Sequence, residues 1–246
     1  MNKKAIGIIG GVGPLAGIDL AKKVFSHTKA NRDQDHIDMH LISCPSIVPD
    51  RTSFLLKGTE NPMPGLQACM DNLASCGATA VAICCNTAHS PKIIGGLHIP
   101  QGVEFINMID KTCQFISAKY KSAKIGLIAT LGTIQTGIYD EYFAKYPDLE
   151  LVKAPDAYNQ NVHTAIYDKE FGIKANSCVT DKAFELVNGA VMQLKAMGCK
   201  AVILGCTELP LVYPGKKEAD GVELVDPTDV LAMELIKATE PEKLQY

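Results

Sequence analysis

The chain has 246 residues and no tryptophan; seven phenylalanines and eight tyrosines bring its aromatic content to only 6%. That leaves few flat side chains on which bases could stack. Neither sign of charge dominates, with 24 Lys and Arg against 27 Asp and Glu and a formal net charge of −3. Such a balance offers no electrostatic attraction to nucleic acid or to an anionic membrane, so neither is expected as a partner. Long apolar runs are missing too. None approaches the roughly 18 residues that would span a bilayer, and the chain reads as soluble. Its start, Met1-Asn-Lys-Lys and then Ala5-Ile-Gly-Ile-Ile, has the charged and apolar regions of a secretion signal. Gly10, Gly11, Gly13 and Pro14 interrupt that run, a helical pattern follows, and no convincing cleavage site is present, so the segment is assigned to the fold.

Cysteine is plentiful, but the patterns that usually explain cysteine are not there. The count is nine, an odd number, and most sit inside apolar runs, which does not describe a secreted disulfide scaffold. A reduced, cytoplasmic setting is expected. No Cys-x-x-Cys occurs, so neither a zinc cluster nor disulfide exchange is indicated and no metal is expected. Gly10-Gly-Val-Gly13 is not Gly-x-Gly-x-x-Gly and has no ribose-binding acid in the usual context, so no nucleotide cofactor is expected either.

What the chain does have is one passage written twice. Gly77-Ala-Thr-Ala-Val-Ala-Ile-Cys-Cys85-Asn-Thr-Ala-His89 recurs as Gly198-Cys-Lys-Ala-Val-Ile-Leu-Gly-Cys206-Thr-Glu-Leu-Pro210, 121 residues later. Each copy follows an amphipathic helical pattern, runs through a short apolar strand, and ends on a cysteine with polar side chains behind it. A weaker echo precedes both, with Gly7 matching Gly126 at an offset of 119. Two similar halves, each ending a buried strand on one thiol, suggest two thiols facing one another across a cleft. That arrangement suits removal of a proton from one face of a carbon and return of a proton to the other.

Strand patterns fall at residues 5–9, 37–43, 79–84, 104–106, 124–129, 150–152, 201–204 and 223–225. Helical patterns fall at 14–29, 65–75, 87–94, about 107–120, 133–146, 162–167 and 181–197, with a last helix that Asp226 caps and Pro227 opens. Residues 45–51 read as a loop. Alternation of this kind calls for an α/β fold of two pseudo-symmetric domains with mostly parallel sheets wrapped by helices. The domains are expected at 1–110 and 111–225, with the helix over about 226–240 packing back on the first.

Cys85 and Cys206 each end a strand at the edge where α/β sheets bind ligands. The residues behind each look like a helix N-terminus, whose partial positive charge favours thiolate over thiol. A free cysteine is also among the most buried residue types and often merely packs; adjacent Cys84, on the opposite strand face, is assigned to the core. His89 and Glu208 can orient or relay a proton for the cysteine near them, or be helix-start residues satisfied by backbone.

Cys85-Asn-Thr-Ala-His89 and Gly205-Cys-Thr-Glu-Leu-Pro210 resemble the paired signatures of the aspartate/glutamate racemase superfamily. Gly10-Gly-Val-Gly-Pro-Leu-Ala16, Pro49-Asp-Arg-Thr52 and Phe54-Leu-Leu-Lys-Gly58 resemble its aspartate racemase branch. Glutamate racemases usually carry His where this chain has Glu208. The resemblance covers roughly residues 4–236 and implies a cofactor-independent racemase, a homodimer of two-domain subunits with the site between the domains. It implies Cys85 and Cys206 as the two acid/base groups on opposite faces of the substrate α-carbon. Arg51, in the loop after the second strand, is the candidate to fork a substrate carboxylate. Asn86, Thr87 and Thr207 are candidates for the α-carboxylate and α-ammonium, and Glu208 belongs with them. Thr130 and Thr133 are either donors at the same edge or helix caps. Lys174 resembles a family lysine that contacts the carboxylate, against the reading of a solvated surface lysine. Val12 approaches the ligand through its backbone. Aspartate or glutamate is the expected substrate. The alternatives are a related enzyme acting on another carboxylate, such as a maleate isomerase or hydantoin racemase, and a non-catalytic small-molecule binding module.

Overall fold

The computed structural model describes residues 4–176 and 178–245, so the charged start at residues 1–3 lies outside the described residues. The chain forms two compact units: residues up to Thr112 together with those from Thr228 onward, and Cys113–Pro227. In the first, β1 (Ala5–Ile9) leads into α1 (Pro14–Ser26) and β2 (Met39–Ile42), and then α2 (Arg51–Lys57), α3 (Met63–Ser75) and β3 (Ala78–Ile83) follow. A short α4 (Pro91–Ile94) and β4 (Glu104–Phe105) complete this stretch, and α5 (Met108–Lys119) begins in this unit and ends in the second. The four strands form one parallel sheet in the order β2-β1-β3-β4.

The second unit repeats that plan. Its elements are β5 (Ala123–Ala129), α6 (Leu131–Thr136), α7 (Ile138–Phe143), β6 (Leu149–Lys153), α8 (Asp156–Tyr167), α9 (Ile173–Asn176) and α10 (Asp181–Ala196). After them come β7 (Ala201–Gly205), β8 (Glu218–Ala219) and β9 (Val222–Val225). The sheet order is β6-β5-β7-β9-β8, parallel except for the short antiparallel β8. Setting β8 aside, each sheet places its second strand beside its first and its third on the first strand's other side. The fold is therefore α/β, with two mainly parallel sheets of one strand order.

The final helix, α11 (Pro227–Thr239), belongs to the first unit. It buries Leu231, Ala232, Leu235 and Ile236 with Ile6 and Ile8 of β1 and with Leu20 and Val24 of α1. Each such large side chain taken from water stabilises by about 1.5–3 kcal/mol. The opposite face of the first sheet packs Ile9, Val81 and Ile83 on Leu66, Met70 and Leu73 of α3. In the second unit α8 and α10 cover Ile128, Val202 and Leu204. Glycine is required where α1 meets the end of β1, because a Cβ on Gly17 would stand 2.7 Å from the Gly10 Cα.

Several local expectations are corrected. The single helix expected over residues 133–146 is two, because Gly137 takes a left-handed φ of 66° and ends α6. The loop expected over residues 45–51 contains a 3-10 turn at Pro45–Ile47, and Arg51 opens a helix. Asp50 caps that helix by accepting from the Ser53 amide at 2.7 Å. Residues 173–176 and 218–219 form short elements, α9 and β8, for which a four- or two-residue stretch carries no readable periodicity.

Candidate active site

Alternation along β3 decides which face each neighbouring cysteine takes. Ala80, Ala82 and Cys84 join the cluster with α1 and α11, whereas Val81, Ile83 and Cys85 join the cluster with α3. Cys84 is fully buried and its thiol donates to the Ala16 carbonyl at 3.2 Å, a core contact. Cys85 follows β3 at its C-terminal end and keeps 7% of its surface exposed. The chain leaves β1 for β2 on one side and returns to β3 on the other, so residues 10–13 and Cys85 lie at a topological switch point. Open α/β sheets take ligands at such points.

Asn86, Thr87 and His89 are buried behind Cys85. The helix expected from residue 87 is a single 3-10 turn, Thr87–His89, followed by the four-residue α4, so little dipole gathers behind the thiol. His89 is tied at both nitrogens. Nδ1 donates to the Cys85 carbonyl at 2.8 Å and Nε2 accepts from the Met108 amide at 3.2 Å. One donor and one acceptor describe a neutral imidazole, and full burial holds its pKa down at about 4. Its ring stacks on Phe105 at 5.8 Å. His89 thus holds the Cys85 backbone in place through its Nδ1–H, and its Nε2 is occupied by the Met108 amide.

Arg51 is 8% exposed at the first position of α2. Its guanidinium donates to the carbonyls of Val12, of Pro49 at 3.2 Å and of Val48 at 3.5 Å. Val12, in the turn after β1, therefore meets Arg51 through its backbone, and a fixed positive charge stands beside that turn.

In the second unit the same switch point lies between β5 and β7. Thr130 follows β5 and caps α6, its hydroxyl accepting from the Thr133 amide at 3.3 Å and lying 3.3 Å from the Thr133 hydroxyl. Both threonines are buried. Cys206 follows Gly205, the partner of Ala129, and is 7% exposed. Its thiol donates to Glu208 Oε2 at 2.9 Å, and the Thr207 hydroxyl donates to the same oxygen at 3.3 Å. The other Glu208 oxygen pairs with the Lys174 ammonium from α9, a contact with 25% of the lysine side chain and 5% of the glutamate side chain exposed. Lys174 is thus no solvated surface lysine; the carboxylate it meets is the chain's own.

Burial pushes the Cys206 thiol well up, the Glu208 carboxylate pushes it further, and Lys174 pulls it partly back. The expectation that a helix N-terminus favours a thiolate here is overturned. Only a 3-10 turn, Leu209–Val212, follows, and the nearest charge is negative. Cys206 rests as a thiol.

Sequence reasoning passed over one helix face. α8 sets Asn159, His163 and Tyr167 four residues apart, hence on one side. His163 accepts from the Leu131 amide beside Thr130 at 3.4 Å and lies 4.8 Å from the Tyr167 ring. That ring in turn lies 5.7 Å from the Lys174 ammonium. The four-residue spacing was readable, but nothing in it separates such a face from an ordinary buried one.

The pattern of the Asp/Glu/Hydantoin racemase family matches residues 9–235. Among solved structures, Picrophilus torridus aspartate racemase shares 27% identity at a TM-score of 0.81, over 96% of this chain and 94% of that one. The glutamate racemase of Francisella tularensis in complex with D-glutamate shares the fold, at 19% identity and a TM-score of 0.66 over 100% and 84% of the two chains. A glutamate racemase of Pediococcus pentosaceus is 30% identical over 169 residues, 68% of this chain. The aligned stretch spans 60% of that enzyme's own length. No helix among the described residues is long and apolar enough to cross a membrane. A family match that runs through both repeated sheets and both cysteine-bearing strand ends makes this chain a member of the Asp/Glu/hydantoin racemase family.

Proposed function

We propose that this chain interconverts L- and D-aspartate, with glutamate as the second candidate substrate, by a two-base mechanism in which Cys85 and Cys206 serve opposite faces of the α-carbon. The observation that carries the reading is the recurrence of one buried thiol at the switch point of each of two sheets with the same strand order. One thiolate takes the α-proton, the electron pair is delocalised into the α-carboxylate, and the other cysteine, as thiol, delivers a proton to the far face. The α-proton of an amino acid is weakly acidic, so donors positioned around the carboxylate carry much of the work. Arg51 and Lys174 supply the positive charge for the two carboxylates of an acidic amino acid. Asn86, Thr87 and Thr207 supply polar contacts beside the thiols.

Two facts favour an acidic amino acid over other substrates of the family. A hydantoin ring has no carboxylate for Arg51 or Lys174 to pair. The likeness to an aspartate racemase at 27% identity extends over 96% of the chain. A binding module without chemistry would have no use for a thiol in each unit. The test is α-proton exchange of L- and D-aspartate in D₂O, followed by NMR, with protein free of metal and pyridoxal phosphate. Exchange and racemisation of both enantiomers are expected; a failure to exchange either acidic amino acid overturns the reading.

A further inference from the structure

Lys174 pairs with Glu208, and Glu208 accepts the hydrogen bond of Cys206, so one carboxylate joins the candidate substrate-binding cation to the candidate base. The groups bearing on this thiol are Glu208 beside it and Lys174 from α9, while Tyr167 of α8 lies beneath the ammonium. Glu208 is 4% exposed, and the Lys174 ammonium and the hydrogen bonds from Cys206 and Thr207 surround its carboxylate.

We propose that Glu208 is a built-in competitor for Lys174 and the proton acceptor of Cys206, so that a substrate carboxylate arriving at Lys174 frees Glu208 to take the thiol proton. The inference rests on the racemase reading and deepens it. When the ammonium turns to the substrate, Glu208 loses the positive charge of Lys174 in a dry setting, and its carboxylate becomes more basic and competes with the thiolate for the proton. The S–H bond of Cys206 breaks, an O–H bond forms on Oε2, and the thiolate is left hydrogen-bonded to a neutral acid. That thiolate then takes the α-proton: the Cα–H bond breaks, S–H re-forms, and the electron pair passes to the substrate. When product leaves, Lys174 returns, Glu208 releases its proton to solvent, and Cys85, which has given its own proton to the far face, takes one back from solvent, so the protons balance over the turnover. Cys206 is in this way a thiol in the empty enzyme and becomes a base only with a carboxylate bound. In the reverse direction the same steps run backwards, the Cys206 thiol giving its proton to the substrate and then taking back the one held by Glu208. The premature thiolate, which would be open to oxidation and alkylation, is avoided.

Two substitutions in the full chain separate this role from a structural one. Iodoacetamide alkylation of Cys206, read by mass spectrometry of its peptide across pH, reports the ionisation of the thiol. Succinate titration reports access to Lys174. Glu208→Gln should lower the alkylation half-point by about one pH unit or more and Lys174→Gln should raise it, because the first removes a negative and the second a positive neighbour. Glu208→Gln should also bind succinate about tenfold more tightly, the order of one charge-assisted hydrogen bond returned to the ligand, and Lys174→Gln should weaken it by at least that factor. For aspartate, Glu208→Gln should lower KM and kcat together, since Lys174 is freed while the proton acceptor is gone. Either variant alone decides its own arm if the other fails to fold. Half-points that move in one direction in both variants, or an unmoved half-point and succinate affinity in Glu208→Gln, overturn the coupling. Absence of aspartate racemisation in the unmodified protein would strike the substrate reading, whereas the alkylation and succinate arms still decide the coupling.

Discussion

The two units share a strand order and each sets a buried cysteine after its third strand, yet the groups around the two thiols differ in kind. Behind Cys85 stands a neutral imidazole whose nitrogens are both committed to backbone groups, Cys85 carbonyl and Met108 amide. Behind Cys206 stands a carboxylate that accepts the thiol proton's hydrogen bond and is itself paired with Lys174. The cations differ as well. Arg51 is clamped by three carbonyls on the first unit, whereas Lys174 sits on a four-residue helix with a quarter of its side chain in solvent. The difference teaches that the repeat supplies two equivalent positions and leaves their electrostatics to be set locally. One position is held by hydrogen bonds to backbone groups and the other is charge-coupled.

Removing the thiols breaks the comparison most severely. Cys85→Ala and Cys206→Ala should each lower racemisation by at least ~10³-fold, because both proton transfers are needed in either direction. Each variant should still exchange the α-proton of one enantiomer with solvent, and the preferred enantiomer should be opposite in the two. Deuterium incorporation into L- and D-aspartate, followed by NMR, reads this; full racemase activity in either variant ends the two-base assignment.

A smaller effect is expected at the clamped cation. Arg51→Lys replaces a planar fork by a point charge, and a single ammonium cannot hold three carbonyls and a carboxylate. KM for aspartate should rise about 10- to 100-fold, with Cys85 and Cys206 still open to alkylation. An unchanged KM would show that Arg51 serves the turn after β1 and not the substrate.

The imidazole offers a sharper contrast through stability. His89 is neutral in the fold with a pKa near 4, against about 6.5 for an unfolded histidine. Between those values the unfolded chain binds the extra proton, so the stabilisation is complete above pH 6.5 and is lost as pH falls toward 4. The loss amounts to roughly 3 kcal/mol. Urea midpoints between pH 7 and pH 4.5 should fall in the parent protein and fall less steeply in His89→Gln, which has no group to protonate. Equal slopes would remove His89 from the account. The least effect is expected at Gly137, where the left-handed φ of 66° makes Gly137→Ala cost about 1 kcal/mol in the second unit, measured as a shift in its unfolding midpoint.

Much of the fold was legible because it rests on short-range rules. Ala5–Ile9 and the strands leading to Cys85 and Cys206 are continuous apolar runs, which buried parallel strands must be. α3 and α10 repeat apolar residues at helical spacing and end one residue before a cysteine or methionine cap that leads to a positive-φ glycine, Gly77 or Gly198. Over residues 133–146 helical periodicity continues through Gly137 and hides the break between α6 and α7. Arg51 reads as a loop residue from the sequence because the seven-residue α2 is too short to show a period, although Asp50 and Ser53 form a recognisable cap.

The candidate site divides along the same line. Cys85 and Cys206 stand out from the chain alone because a repeat marks them, and repetition is a property of order along the chain. Their ionisation was not open to the same reading. A cysteine before polar residues suggested a helix N-terminus, but a 3-10 turn follows each thiol, and at Cys206 burial and the Glu208 carboxylate reverse the expected direction. Lys174 and Glu208 are 34 residues apart in the chain, and nothing in their spacing announces an ion pair. A repeat and a strand pattern are written in neighbouring residues; a pKa is set by whatever charge and solvent the packed chain brings to a few ångströms, and that is decided only when the chain has folded.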